Sequence, residues 1–578
     1  MRPVFLLKSA LVSAAVLALA LPAGPTLARE APAAASAAQV KETGMVAAAH
    51  PLAVEAGVSV LRRGGSAVDA AVAVQAALGL VEPQSSGLGG GAFITYYDAK
   101  TRKVTAYNGR ETAPSGASPA MFLGPDGKPL SFADAVTSGR STGVPGAVAM
   151  LHMAQKAHGR LAWKDLFTEA EALADQGFAV TPRLSALAAR SAAWGRQPDA
   201  VAYFTKPDGQ LIQAGDILKN PAYAATLRKI AAEGPAALLE GEIAEAIVRR
   251  TTEGNLPGTL TLADLKAYRP KVSEPVCRPY RVYVVCVPPA PSGGPAVLMG
   301  LGILANTDIA AHGPDTVQGW YLFSQASRLM YADRDRYFGD PDFVDVPVQG
   351  LLDPAYLKAR AALIPPKVAG APPPPGKPKG AGARAPDATK EPGGTTHFVI
   401  VDGNGNVVSM TTTVESLFGS GRMVHGFFLN NQLTDFSFSP TEKDGVPAAN
   451  AVAPGKRPRS SMAPAVVLDR KGRFVAAVGS PGGNSILAYN LKALVGVLDW
   501  KLSMQEAVAL PNLIARGAPY LSEPAKFAPG VVEGLAARGV VLNGSGGAEG
   551  SGLHGVMVTP QGLSGGADPR REGVARKP

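Results

Sequence analysis

Cysteine is nearly missing from this 578-residue sequence, which holds only Cys277 and Cys286. That excludes a disulfide-stapled scaffold and a metal centre built on a cysteine cluster. Histidine is sparse as well, seven in all, and none has the paired helical spacing of a zinc protease, so neither a metal nor another cofactor is expected. The apolar run from Ala10 to Leu21 is shorter than the ~20 residues a spanning helix needs, and no later segment reaches that length. No membrane span is therefore expected. The glycine run Gly87-Leu88-Gly89-Gly90-Gly91 lacks the lysine-serine/threonine ending of a phosphate loop. The net charge of +10 is spread along the chain, with some excess at Arg570, Arg571, Arg576 and Lys577, and no base-reading motif accompanies it. Solubility or surface attraction explains such a balance better than nucleic acid does. There is no internal repeat.

What is present begins with an export signal. Arg2 and Lys8 flank the apolar run, and the small-residue site Thr26-Leu27-Ala28 follows it, so residues 1–28 read as a signal peptide and the mature protein as periplasmic or secreted. Ala31 to Ala38 reads as a flexible lead. In an oxidising compartment Cys277 and Cys286 can join across a short hairpin; two buried thiols is the equal alternative. With 46% hydrophobic residues, the chain can bury one large core or two to three ordinary ones.

Helical spacing of apolar residues places two helices between Gly44 and Leu80, parted by Arg62-Arg63-Gly64-Gly65. The glycine run implies a close backbone approach and leads into the strand 93–97. From Ala147 to about Ala332 the pattern is mostly helical, interrupted by the strand pair that carries the cysteines. Further on the period becomes alternating. Residues 396–402 and 406–414 form a hairpin about Gly403-Asn404-Gly405, and 466–478 a second about Asp469-Arg470-Lys471-Gly472. The turn Gly479-Ser480-Pro481-Gly482-Gly483 then opens a helix at Asn484. Helices, then strands, then helices predict layered α and β structure.

The junction Gly393-Gly394-Thr395-Thr396-His397 separates two kinds of sequence. Pro365 to Gly394 is crowded with Pro, Gly, Ala and Lys, has too few apolar residues to offset its chain entropy, and reads as flexible. Phe398-Val399-Ile400-Val401 is a strand. A threonine at such a boundary, with glycine before it, is well placed to become a new N-terminus by self-cleavage. It would then carry a nucleophile and its own base, the α-amine.

These features, with a series of strings in fixed order, resemble the gamma-glutamyltransferase (gamma-glutamyltranspeptidase) family of N-terminal-nucleophile hydrolases. The strings are Ser86-Gly87-Leu88-Gly89-Gly90-Gly91, Gly109-Arg110-Glu111-Thr112-Ala113-Pro114, Pro288-Pro289-Ala290-Pro291-Ser292-Gly293-Gly294, Tyr331-Ala332-Asp333-Arg334 and Gly339-Asp340-Pro341-Asp342. They continue with Thr395-Thr396-His397, Leu429-Asn430-Asn431-Gln432, Arg457-Pro458-Arg459-Ser460-Ser461-Met462 and Gly479-Ser480-Pro481-Gly482-Gly483.

The resemblance implies an α+β fold, a four-layer αββα sandwich, made as a precursor. A cut between Gly394 and Thr395 would leave a large subunit (29–394, ending in the flexible segment 365–394) and a small subunit (395–578) as a heterodimer. It implies transfer of the γ-glutamyl group of glutathione or another γ-glutamyl amide onto Thr395, then to water or to an amino-acid or dipeptide acceptor. Thr413 would orient Thr395, and Gly482 and Gly483 would form the oxyanion hole. Arg110, Ser460 and Ser461 would hold the donor's α-carboxylate. Asp435, Glu415 and Gln432 complete the substrate site, with Asp435 on the α-ammonium. Residue 415 is Asn or Glu in the family, which leaves its role less defined. No tyrosine occurs between Phe436 and Pro454, where some members carry a lid residue, so an open cleft is expected.

Plainer readings stand beside these. Arg110 can form a surface ion pair with Glu111, Thr413 can be an ordinary strand residue, and Asp435 can cap a turn. Ser460 and Ser461 can belong to a polar turn, and His397 reads as a core or subunit-contact histidine rather than a general base. A β-lactam acylase of the same fold and a catalytically dead binding protein are the alternatives for the whole chain.

Overall fold

The computed structural model describes residues 44–193, 198–385, 387, 389, 391–439, 441, 445–544 and 550–578. The expected signal peptide and lead lie outside the described residues. Two sheets form the centre. Ahead of residue 394 the strands are β1 (Met45–Ala48), β2 (Gly91–Asp98), β3 (Lys103–Gly109), β4 (Lys271–Ser273), β5 (Val276–Tyr280) and β6 (Tyr283–Val287). After it come β7 (Thr395–Val401), β8 (Val407–Thr413), β9 (Ala465–Asp469), β10 (Phe474–Gly479), β11 (His554–Thr559), β12 (Gly562–Ala567) and β13 (Val574–Arg576). The seven-stranded sheet has the order β13-β1-β7-β8-β2-β3-β4, and the six-stranded sheet β12-β11-β10-β9-β6-β5.

The alternation of the strands shows how the layers stack. Val399 and Val401 of β7 join Val466 of β9 and Ala477 of β10 in a core between the sheets. Phe398 and Ile400, pointing the other way, pack with helices α1 (Pro51–Arg62) and α2 (Ala67–Val81). Val467 and Ala476 point outward from the second sheet onto α3 (Gly294–Leu304), α4 (Val317–Tyr337) and α5 (Ile486–Leu498). With a side-chain period of two, each strand thus feeds two cores. The expected αββα sandwich is the fold.

Local chemistry fixes the elements. Ser66 and Asp69 form a reciprocal capping box that starts α2, and Pro51 occupies the first turn of α1. The β7–β8 hairpin turns about Asp402, whose carboxylate accepts the backbone N–H of Asn404 and Asn406 at 2.9 and 3.0 Å. That turn sets the register in which Thr395 lies opposite Thr413. A slip of one residue in either strand would turn that strand's threonine away from the inter-sheet space and part the two.

Cys277 and Cys286 lie opposite each other on β5 and β6 and form a disulfide, which settles the open alternative. Among the described residues of Pro365–Gly394 there is no helix or strand beyond a bridge between Ala385 and Ala448, as its composition implies. It nevertheless makes contacts with the body of the protein. Its carbonyls accept from side chains of α4: Tyr321 to Pro365 at 2.8 Å, Arg328 to Gly370 at 2.9 Å and Tyr337 to Gly376 at 2.6 Å. The donors belong to another element, so the segment's own sequence does not announce them. Among the described residues no helix is long and apolar enough to cross a membrane.

Candidate active site

Thr395 opens β7 and Thr413 closes β8, and both face between the sheets at the centre of the seven-stranded sheet. Their hydroxyl oxygens are 3.0 Å apart, and Thr413 Oγ1 is also 3.0 Å from the Gly394 carbonyl oxygen. The Glu415 N–H donates to Thr413 Oγ1 at 2.8 Å. A hydroxyl has one proton to give. If Thr413 gives it to the Gly394 carbonyl, it accepts from both Thr395 and Glu415. That arrangement polarises the carbonyl and orients the Thr395 oxygen beside it. Close packing explains the glycines here. A Cβ on Gly394 would stand 2.2 Å from the Glu415 carbonyl oxygen, and one on Gly90 2.0 Å from that of Thr413. The close approach read from the glycine run is therefore to the end of β8.

One cleft is lined by Arg110, Thr395, Thr413, Glu415, Gln432, Asp435, Ser460, Ser461 and Gly483, together with Glu391, Pro392, Met462 and Ile486. Residues spread over most of the chain are thus brought together. Gly482 adjoins the cleft in the same turn, and none of 436–454 lines it among the described residues. Gly482 and Gly483 have φ of +132° and +53°, a backbone that other residues adopt only under strain.

Arg110 is buried rather than at the surface, which removes the surface ion pair with Glu111. Its Nη2 donates to Asp435 Oδ2 at 2.5 Å and to the Arg459 carbonyl at 2.7 Å, while Glu111 lies 3.8 Å from its Nη1. Burial, only partly offset by Arg110, pushes the Glu111 carboxyl up to about 8, so it is largely neutral near pH 7. Gln432 Nε2 also donates to Asp435 Oδ2, at 2.6 Å.

Asp435 and Glu415 form a coupled carboxyl pair. Burial raises both, and their proximity divides them: Glu415 is driven well above the ordinary carboxylate range, and Asp435 to about 6 with Arg110 opposing the rise. Near neutral pH Glu415 holds the proton and Asp435 the charge. Glu415 also accepts from Ser416 Oγ at 2.6 Å and from Asn431 Nδ2. Of the two carboxyls, it is therefore Asp435 that presents a negative charge to the cleft near neutral pH, with Glu415 its neutral neighbour.

Ser460 Oγ accepts the Met462 N–H at 3.1 Å. Ser461 Oγ donates to Glu391 Oε2 at 2.5 Å and accepts from Arg334 at 2.7 Å. His397 is buried, with Nδ1 2.8 Å from Thr411 Oγ1, and burial followed by the neighbouring His554 holds it well below the usual histidine range. It is a neutral core residue.

Sequence reasoning missed three contributors. Glu391 reaches into the cleft from just ahead of the junction, and an acidic residue in a proline-rich stretch carries no motif. Arg459 was visible only as part of a string. Arg571, in the C-terminal segment, donates to the Thr395 carbonyl at 3.0 Å and pairs with buried Glu82 at 3.3 Å.

Comparison with known proteins matches the chain to one family. The family model described as gamma-glutamyltranspeptidase matches residues 53–577. The chain is 38% identical to the glutathione hydrolase proenzyme of Bacillus subtilis (strain 168), over 82% of this chain and 81% of that protein. It is 36% identical to the glutathione hydrolase proenzyme of Escherichia coli (strain K12), over 91% and 90%. A crystal structure of cephalosporin acylase from Bacillus halodurans matches with a TM-score of 0.80 at 26% identity, covering 93% of this chain and 96% of that one.

Proposed function

Because the chain belongs to the gamma-glutamyltranspeptidase family, we propose that it cuts itself between Gly394 and Thr395 and that the freed threonine carries the γ-glutamyl group of its donor. The protein is a gamma-glutamyltransferase and glutathione hydrolase made as a self-processed proenzyme. The observation that carries the residue assignment is the contact chain from Thr395 through Thr413 to the Gly394 carbonyl, both links at 3.0 Å.

In the cut, Thr395 Oγ1 attacks the Gly394 carbonyl carbon, and Thr413 donates to the carbonyl oxygen as charge builds there. The Gly394–Thr395 C–N bond breaks, the threonine nitrogen takes up the hydroxyl's proton, and an ester remains. Water hydrolyses that ester, releasing the Gly394 carboxylate and a free α-amine with an ordinary pKa of about 7.7–8.0. In turnover the amine removes the hydroxyl proton as Thr395 attacks the donor's γ-amide, and returns it to the departing amine. Backbone N–H groups at Gly482 and Gly483 serve the second oxyanion. Water or an amino-acid or dipeptide acceptor then takes the acyl group.

Arg110, Ser460 and Ser461 fit the donor's α-carboxylate, Asp435 its α-ammonium, and Gln432 holds Asp435. The missing tyrosine lid supports a cleft open to bulky acceptors or water. The sequence of residues 1–28 and the Cys277–Cys286 disulfide support export to an oxidising compartment. The likeness to a cephalosporin acylase supports a second reading, hydrolysis of a glutaryl-type amide, whereas a charged Asp435 favours a donor with an amine.

The test is gel electrophoresis with sequencing of the smaller fragment. Wild type should give two fragments, the smaller beginning at Thr395, and Thr395→Ala one uncut chain. A variant that still splits at this junction is being cut by another protease, and self-processing fails.

A further inference from the structure

Arg334 and Arg459 are fully buried beside the cleft. The carboxylates that meet them there come largely from the segment ahead of Gly394. Glu391 accepts from Arg334 Nη2 at 2.7 and 3.0 Å and from Arg459 at 3.3 Å; Asp387 meets Arg459 Nη1 at 3.0 Å. Among the described residues, Asp335 on Arg334's own helix also meets it, at 3.0 Å. Burial opposes charge on Glu391, but Arg334 and Arg459 overcome it and hold its carboxyl down to about 2.

Glu391 also accepts the Ser461 hydroxyl at 2.5 Å, and its carbonyl accepts the Asn484 N–H at 3.0 Å. A Cβ on Gly483 would stand 2.0 Å from that carbonyl oxygen. The segment therefore covers the Gly482-Gly483 turn, so it and a donor exclude each other. After a cut at Gly394 this segment is a chain end. Its withdrawal would strip the buried Arg459 of the carboxylates it meets here and leave Arg334 with Asp335 alone, a costly state that an incoming carboxylate relieves.

We propose that Glu391 holds the place of the donor's α-carboxylate, and that Arg334 and Arg459 pass from the tail to the donor once the cut frees it. The inference rests on the reading that Ser461 faces the donor's α-carboxylate. It makes Arg459 a specificity residue for donors bearing that group, and the tail an internal competitor.

Two donors separate this from a structural role: γ-glutamyl-p-nitroanilide, and 4-aminobutyryl-p-nitroanilide, which keeps the amine but lacks the α-carboxylate. Arg459→Met should lower kcat/KM for the first by about tenfold or more and for the second by less than about threefold. Unchanged kinetics, or an equal loss on both, overturns the proposal. If Arg459→Met is not cut, Arg459→Lys keeps the charge that the tail needs and should show a smaller loss confined to the first donor. A wild type indifferent to the α-carboxylate overturns the underlying Ser461 reading instead, and the proposal with it. The tail's part is read by adding a peptide of residues 385–394 to the cut enzyme. It should compete with the γ-glutamyl donor, and its Glu391→Gln version should not. Equal inhibition by both peptides, or none by either, overturns the stand-in role.

Discussion

The Arg110 guanidinium and the Asp435 carboxylate are each other's partners, 2.5 Å apart, in a cleft read as holding both ends of an amino acid. A donor with an α-carboxylate and an α-ammonium can part them and leave neither charge alone. A donor with one of the two groups pairs one and strands the other. In a buried site that penalty is larger than on a surface. If the proposed donor contacts hold, exchange of this internal ion pair selects for zwitterions.

Replacing Asp435 by Asn should weaken γ-glutamyl donors by roughly 1.5–3 kcal/mol, the worth of a charged hydrogen bond. Glutaryl donors, which lack the amine, should lose little or improve. Measured kcat/KM on the two donor types checks this. A wild type that prefers glutaryl donors, with Asp435→Asn indifferent between them, would move the assignment to the acylase reading.

Arg110→Lys should raise KM for γ-glutamyl donors while the cut at Gly394 proceeds. Lysine keeps the charge but not the planar fork, and one guanidinium now serves Asp435 and the Pro458 and Arg459 carbonyls together. Unchanged donor kinetics would take Arg110 out of the substrate site.

The pH profile should carry the Asp435 titration. Its carboxyl is raised to about 6 by burial, against the pull of Arg110. Above that pH it is charged and attracts the ammonium; as pH falls through about 6 it takes a proton, and donor binding weakens. Donor kcat/KM should therefore fall on the acid side, and the same limb should be missing in Asp435→Asn. A limb that persists in the variant belongs to another group.

Thr413→Val should slow the cut by about 10²–10³-fold, the usual loss when one oxyanion donor is removed. Thr413→Ser should keep most of the rate, since it retains the hydroxyl. The fraction of uncut chain over time after purification reads both. Equal rates for Val and Ser would return Thr413 to an ordinary strand residue.

The central elements were legible because their signals are local. Period-two runs at 396–402 and 406–414, with Gly403-Asn404-Gly405 between them, specify a hairpin and its register, and helical spacing marks α1 and α2. β1 and β13 carry no comparable signal: each is a few residues long and exists because neighbouring strands complete its hydrogen bonds. At the site, the strings contain Arg110, Thr395, Gln432, Ser460 and Ser461, whereas Thr413, Glu415 and Asp435 lie outside them and were reached only through the family resemblance. The proton on Glu415 was not legible, since it depends on burial beside Asp435. Nor was Glu391, which matters through what it touches rather than through its neighbours in sequence.

The placement of Met45–Ala48 bears on the order of events in this protein's life. β1 lies between β13 and β7, and both of its neighbours come from beyond residue 394. In the second sheet, β6 from the first part of the chain adjoins β9 from the second. Two pieces made separately would each present open strand edges and half-covered cores, a state prone to clumping. Assembly of the whole chain must come first and scission afterwards, as a last edit to a finished object. The break then changes what the protein can do without offering its halves a route apart, and diluting the product should not dissociate it.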